Sequence, residues 1–321
     1  MHHRARTAAT GTCALMLPLV LALTACSVDD STVGSSSDSG KPKPSASVAV
    51  ALAPPDAALR ARVPKQYAGK DVVMGVSEYA PYITFGSGGG ITGLVPDLNK
   101  QLSSMLGIRI TLRKTTFDST IPGIKSGRID LSSPVGDFVE RQTEVDMTDF
   151  AQSNVTVMVA AQASFRPKTG TDLCGRKVGV EKGAGTQNVV AALTQRCEKA
   201  GKSAVNDQVF TDLPAAALAL QSGRIDAVAA PSAANTAASE SSGGRFKTVE
   251  IKDMLDLPAA TAIYGIVSKK DSGLAPVLAD ALRKLHDEGT YQKLFDKWDL
   301  PLSTVDKAKI QVNGSKQSQT A

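Results

Sequence analysis

Apolar positions along this chain follow two rhythms. Val72-Val73-Met74-Gly75-Val76 is a nearly unbroken apolar run, the pattern of a strand buried on both faces. Val95, Leu98, Leu102, Met105 and Leu106 then share one face at helical spacing, and Gly107 is predicted to end that helix. Ile108, Ile110 and Leu112 alternate with Arg109 and Thr111, which predicts a half-buried strand. Strand, helix and strand in that order predict a right-handed βαβ unit and a mainly parallel sheet. Further strands are expected at Val155–Ala160 and Lys177–Val180, and a helix at Gln187–Arg196, opened by the glycine-rich turn Gly183-Ala184-Gly185-Thr186. Near the end, Val277, Leu278, Ala281, Leu282 and Leu285 form one helix face stopped by Gly289, and Tyr291, Leu294, Phe295 and Trp298 form another.

One unit recurs. Ser126-Gly127-Arg128-Ile129-Asp130 returns as Ser222-Gly223-Arg224-Ile225-Asp226, each preceded by a Phe, an Asp and a Pro (Phe117, Asp118, Pro122; Phe210, Asp212, Pro214). Each copy reads as a helix stopped by Gly and followed by a short strand, Ile129–Leu131 and Ile225–Ala230. Two similar α/β lobes are expected.

The chain's start breaks both rhythms. Basic residues Arg4 and Arg6 precede an apolar run from Cys13 to Leu23, shorter than the 18 or so residues that span a bilayer. That is the pattern of a secretory signal. The run ends in Leu23-Thr24-Ala25-Cys26, which resembles a bacterial lipobox; an ordinary signal peptide with a chance Cys is the plainer alternative. The expectation is a signal at 1–25, lipid on Cys26, and anchorage on the cell membrane rather than within it. Residues 26–69, rich in Ser, Pro and Ala, predict a disordered tether; a flexible coil of about 45 residues reaches on the order of 35–40 Å. A tail at 301–321 is expected to fray from about Gly314.

Composition then limits the functions. The 321 residues are 42% hydrophobic and 21% charged, which suits a packed body of about two domains. Net charge is +5, and +3 once Arg4 and Arg6 leave with a segment that has no acid. With only 4% aromatic residues, the chain carries neither the charge nor the stacking surface of a nucleic-acid binder.

A family resemblance emerges from several motifs in order. Tyr79-Ala80-Pro81-Tyr82 follows the first strand. Gly93-Leu94-Val95-Pro96-Asp97-Leu98 opens a helix. Phe117, Asp118, Pro122 and Ser126–Asp130 come next, then Glu140-Arg141 with Asp146 five residues on. Leu285 to Trp298 closes the series. Over about residues 70–300 this resembles the solute-binding proteins of polar amino-acid ABC importers, solute-binding family 3. The resemblance implies a two-lobed, periplasmic-binding-protein-like (type II) α/β fold with crossovers near Asn154–Ala160 and Ala262–Val267. Lobe one would be 70–156 plus 264–300, and lobe two 157–263. It implies capture of a small polar solute, an amino acid or amino-acid-like carboxylate, between the lobes and delivery to a membrane permease. It implies a monomer with no cofactor and no metal.

The same resemblance suggests site residues. Arg141 would bind a ligand α-carboxylate, its guanidinium offering paired donors; the plainer role is a surface pair with Glu140 or Glu144. Gly185 and Thr186 would add backbone N–H donors at a helix start. Tyr79 and Phe117 would sandwich the ligand side chain or pack the core. Ser133, beside Ser132, would offer a hydroxyl.

Two departures stand out. The family's ammonium-binding Asp, five residues past Asp226, is Pro231 here. The stretch from Asp130 to Arg141 is one residue short, so Gly136 or Asp137 falls where a Ser or Thr is usual. Either Asp137 or Glu78 supplies the missing charge, or the ligand lacks a free primary ammonium.

Cys174 and Cys197 bracket a predicted strand and helix. In an oxidising exterior a disulfide is expected, contributing about 3 kcal/mol. A metal site finds no His or further Cys nearby. An enzyme on the same fold, dehydratase-like with Glu78 or Asp137 as acid, finds no Ser-His-Asp set, free Cys nucleophile or phosphate loop. A surface sensor would use the same cleft as an importer component.

Overall fold

The computed structural model describes residues 49–319. Helix α1 (Ala57–Arg62) precedes β1 (Asp71–Val76), a small hairpin of β2 (Thr84–Phe85) and β3 (Ile91–Thr92), α2 (Leu94–Leu106) and β4 (Arg109–Lys114). Next come α3 (Thr120–Lys125), β5 (Leu131–Asp137), the single turn α4 (Val139–Gln142) and the long β6 (Val145–Ala160). The second lobe follows as β7 (Lys177–Glu181), α5 (Gly185–Lys199), β8 (Asn206–Phe210), α6 (Leu213–Gln221), β9 (Ala227–Pro231), α7 (Ser232–Ser241) and β10 (Phe246–Val249). The chain returns through β11 (Thr261–Lys269) and ends on α8 (Leu274–Asp287) and α9 (Thr290–Lys297).

Strands β4, β1 and β5 run parallel, and so do β8, β7 and β9. Strands β6 and β11 join these halves: β6 pairs antiparallel with β11 along its first part and with β9 and β10 along its second. The strand expected at Val155–Ala160 is therefore the far end of a 16-residue strand.

Local sequence explains the elements that frame the cleft. Helix α2 buries Leu94, Val95, Leu98, Leu102, Met105 and Leu106, and Gly107 closes it in the left-handed conformation. Gly93, before it, has φ +134°, and a Cβ there would lie 2.2 Å from the Tyr82 carbonyl oxygen. Only glycine lets the chain pass so close to the Tyr79–Tyr82 turn. Asp97 Oδ2 accepts from Lys297 Nζ (2.7 Å) and Trp298 Nε1 (3.0 Å), tying α2 to α9.

The repeated pentapeptide does the same work twice. Asp130 Oδ2 accepts from Val73 N and Asp226 Oδ2 from Lys177 N, each at 2.8 Å. Each aspartate thus clips the residue after a helix stop onto its lobe's first strand. Cys174 and Cys197 form a disulfide with Cα atoms 5.7 Å apart, fastening α5 to the turn before β7.

Two expectations are corrected at the ends. The tether does not run to residue 69 as disordered chain. Ala53, Leu59, Val63 and Tyr67 are buried in the first lobe's core, and Asp56 caps α1 and accepts from Lys284. An Ala- and Pro-rich composition concealed four well-spaced apolar anchors. The tail does not fray at Gly314 either. Asn313 N donates to Met147 O (2.8 Å), Ser315 N to Asp137 Oδ2 (3.0 Å) and Val139 N to Gln317 O (3.0 Å). Polar hydrogen bonding rather than apolar burial holds this segment, so hydropathy could not reveal it. The signal at 1–25, Cys26 and the tether up to residue 48 lie outside the described residues.

Candidate functional site

A cleft opens where β6 and β11 cross between the lobes. Its empty volume is about 600 Å³, open space at the mouth included. The ends of β1, β5, β7 and β9 converge on it, so residues just past these strands become its walls.

Arg141 enters from the first lobe. The turn Val139–Gln142 begins immediately after β5 and leaves Arg141 6% exposed. Its Nη1 donates to Gly136 O (2.9 Å), and its Nη2 donates across the cleft to Gly183 O (3.0 Å). The guanidinium carbon sits 5.1 Å from the Phe138 ring centre and 5.7 Å from that of Phe117. Burial lowers its pKa to about 10, so it stays charged at neutral pH. Glu140 accepts from Ser318 and Gln319, and Glu144 pairs with Lys125. Opposite Arg141, the N-terminus of α5 presents Gly185 and Thr186; Thr186 Oγ1 is buried without a hydrogen-bond partner. The first backbone N–H groups of a helix have no partners within it and favour negative charge.

Tyr79, Phe117, Phe138 and Tyr264 supply the aromatic wall. The Tyr79 and Tyr264 hydroxyls lie 3.0 Å apart, and their rings pack edge to face. Glu181, the last residue of β7, is the acid in the lining. It is 7% exposed, and its Oε1 is buried without a partner. Burial, then the charges of Asp212 and Asp118, push its pKa up to about 8.

Of the sequence-based candidates, Tyr79, Phe117, Arg141, Gly185 and Thr186 meet at this cleft, and Pro231 lines it as well. Three do not. Asp137 is fully buried beneath the C-terminal segment; its oxygens accept from Gln142 Nε2 (2.8 Å) and Ser315 N (3.0 Å). Glu78 accepts from Phe85 N (2.9 Å) and lines a neighbouring cavity with Leu213 and Pro214. Ser133 Oγ is buried without a partner, while Pro134 and Gly136 beside it face the cleft.

Sequence reasoning missed Glu181, Phe138 and Tyr264. A signal for Glu181 was present: an acid ends the apolar run Val178-Gly179-Val180 just before a glycine-rich turn, at the strand end where open α/β sheets bind ligands.

A two-lobed α/β body whose crossing strands floor a cleft with a buried cation on one wall has the plan of a solute-binding protein. The chain belongs to the bacterial extracellular solute-binding proteins, family 3, whose model matches residues 72–301. It is similar to the arginine-binding protein ArgT of Corynebacterium glutamicum, 29% identical over 262 residues, covering 80% of this chain and 83% of that one. It is also similar to the ABC transporter arginine-binding protein 1 of Escherichia coli, 28% identical and covering 72% and 91%. Among solved structures, an ancestral arginine-binding protein bound to arginine superposes with a TM-score of 0.62 at 27% identity, covering 71% of this chain and 97% of that one. Both of these curated relatives are named as arginine-binding proteins, the second as that of an ABC transporter. No helix among the described residues is long and apolar enough to cross a membrane.

Proposed function

We propose that this protein captures an amino acid, or a carboxylate built like one, in the inter-lobe cleft and hands it to an ABC permease. The observation that carries this reading is Arg141, a buried guanidinium in the cleft wall beside the free N-terminus of α5. A carboxylate placed there meets a permanent cation, backbone N–H groups and the Thr186 hydroxyl together. The aromatic wall of Tyr79, Phe117, Phe138 and Tyr264 then packs the remainder of the solute.

Because Arg141 already reaches Gly183 across the cleft, ligand capture and lobe closure act on the same contacts. The two crossing strands are the hinge. Relatives named as arginine-binding make arginine the first amino acid to try. Lipid on Cys26 would hold the body near its permease.

Calorimetric titration with the twenty standard amino acids tests the capture step. One or a few of them are expected to bind, and Arg141→Ala to weaken that binding at least tens-fold while the chain stays folded. Binding unchanged in Arg141→Ala would reject the reading. Mass analysis of the membrane-associated protein should find an N-terminal peptide that begins at a lipid-modified Cys26. Loss of solute uptake on deletion of the gene would establish delivery to the permease.

A further inference from the structure

Arg141 and Glu181 both line the cleft, and no ion pair joins them. Arg141 directs its donors to two carbonyls. Glu181 has a deeply buried oxygen with no donor at all. A buried carboxylate without a partner is costly. The ionisable groups facing Glu181 do not remove that cost. Asp118, from the turn before α3, and Asp212, which caps α6, are both acids. Lys182, next in the chain, is turned to Asp118 at 2.8 Å. Tyr264, from β11, is buried, with its own pKa raised.

Glu181 is the acid among the described residues lining this cleft, and Leu213, Pro231, Ala259 and Ala260, which line it too, carry no charge. The missing partner is a cation. The aromatic faces of Tyr79, Phe117, Phe138 and Tyr264 would accept one in place of water.

We propose that Glu181 is the cation-binding residue of this cleft: the substrate's carboxylate lies against Arg141 while a cationic nitrogen, ammonium or guanidinium, lies against Glu181. This rests on the carboxylate reading above and narrows its substrate to zwitterionic or net-cationic amino acids, excluding simple mono- and dicarboxylates. The step balances without any co-reactant. The protonated Glu181 of the empty cleft gives its proton to solvent, and the carboxylate so formed pairs with the incoming cation. The pKa of about 8 fits this order of events, because near neutral pH most of the acid is protonated before binding.

The test uses the mature protein, freed of endogenous ligand by unfolding and refolding. It is titrated with the standard amino acids, ornithine and succinate in phosphate and in Tris buffer, from pH 6 to 9. A carboxylate with a cationic nitrogen should bind and succinate should not. The apparent enthalpy should differ between buffers by an amount that reports up to one proton released near pH 7, falling towards zero at pH 9. Glu181→Gln should weaken binding at least tenfold and remove the proton release. Affinity unchanged in Glu181→Gln, succinate bound more tightly than any amino acid, or no proton release between pH 6 and 8 would each overturn the proposal while leaving the role of Arg141 intact. Were Glu181→Gln not to fold, the proton release of the unaltered protein decides alone. Failure of every carboxylate to bind, or binding indifferent to Arg141→Ala, would instead reject the underlying carboxylate reading.

Discussion

Arg141 Nη2 donates to the carbonyl oxygen of Gly183 at 3.0 Å, linking the turn after β5 to the turn that opens α5. The bond brings the cation of one lobe against the free helix N-terminus of the other. Each would attract a carboxylate alone; together they surround it from two sides. A ligand bridging them favours the arrangement in which they are close, so its binding energy also stabilises closure.

Arg141→Ala should therefore weaken binding of a carboxylate ligand by at least tens-fold. Truncating one partner of a buried charge pair costs about 2–5 kcal/mol, much of it from the stranded charge. Arg141→Lys should recover only part of the loss, because a single ammonium cannot reach Gly136, Gly183 and a ligand with a planar fork. Calorimetry against the same amino acid, with circular dichroism to confirm folding, checks both variants. Equal affinities across the three proteins would remove Arg141 from the site.

Gly93→Ala should destabilise the first lobe by several kcal/mol. The new Cβ would lie 2.2 Å from the Tyr82 carbonyl oxygen, and φ +134° is strained for any side chain. The displaced segment carries Tyr79, so ligand affinity should fall along with the urea midpoint. An unaltered midpoint would mean that the Tyr82 turn yields easily.

How much of this was legible beforehand depends on which force sets each element. Apolar periodicity reports burial, so α2, β4 and α9 could be read from Leu98, Ile110 and Tyr291 and their neighbours. The two Ser-Gly-Arg-Ile-Asp strings were legible because the same clip demands the same residues in each lobe. Arg141 was found because a motif marked it. Glu181 carried no motif beyond its place at the end of the Val178-Gly179-Val180 run; its raised pKa arises only when folding removes it from water and sets it near Asp212 and Asp118. Asp137 was misplaced because nothing in its local sequence says that residues 313–317, far along the chain, will cover it.

Truncation after Gln311 should lower the thermal midpoint by about 5–10 °C. It removes the backbone bonds of Asn313, Gly314, Ser315 and Gln317 to β5, β6 and Val139. A net bond contributes about 0.5–1.5 kcal/mol, and 1 kcal/mol corresponds to roughly 2–4 °C in a body of this size. Gln317 also reaches Thr261 on β11 at 2.8 Å, so the segment braces a crossing strand. Scanning calorimetry of the two chains decides the matter, and an unchanged midpoint would make the segment an idle appendage.

Stability should also fall as pH rises from about 5 to 9, with Asp149 as a principal cause. Asp149 is 1% exposed, and burial, then the adjacent Asp137, push its pKa up to about 9 from the usual 3.8. Its Oδ2 accepts from Gly314 N at 3.2 Å, while its Oδ1 is buried without a partner. The folded chain keeps the carboxyl proton up to about pH 9, whereas the unfolded chain releases it near pH 4. Between those limits the unfolded state binds fewer protons, so the contribution is fully present below about pH 4 and is lost as pH rises through 9. The slope approaches at most about 1.4 kcal/mol per pH unit for a single proton. Glu181, raised to about 8, acts with the same sign in the ligand-free protein. Asp149→Asn has no proton to lose; its thermal midpoint should decline less between pH 5 and 9, leaving it closest to or above the unaltered protein at the alkaline end. A midpoint of the unaltered protein that rises over this range, or an Asn variant with an identical slope, would show that Asp149 titrates as an ordinary exposed acid and that the C-terminal segment does not seal it from water.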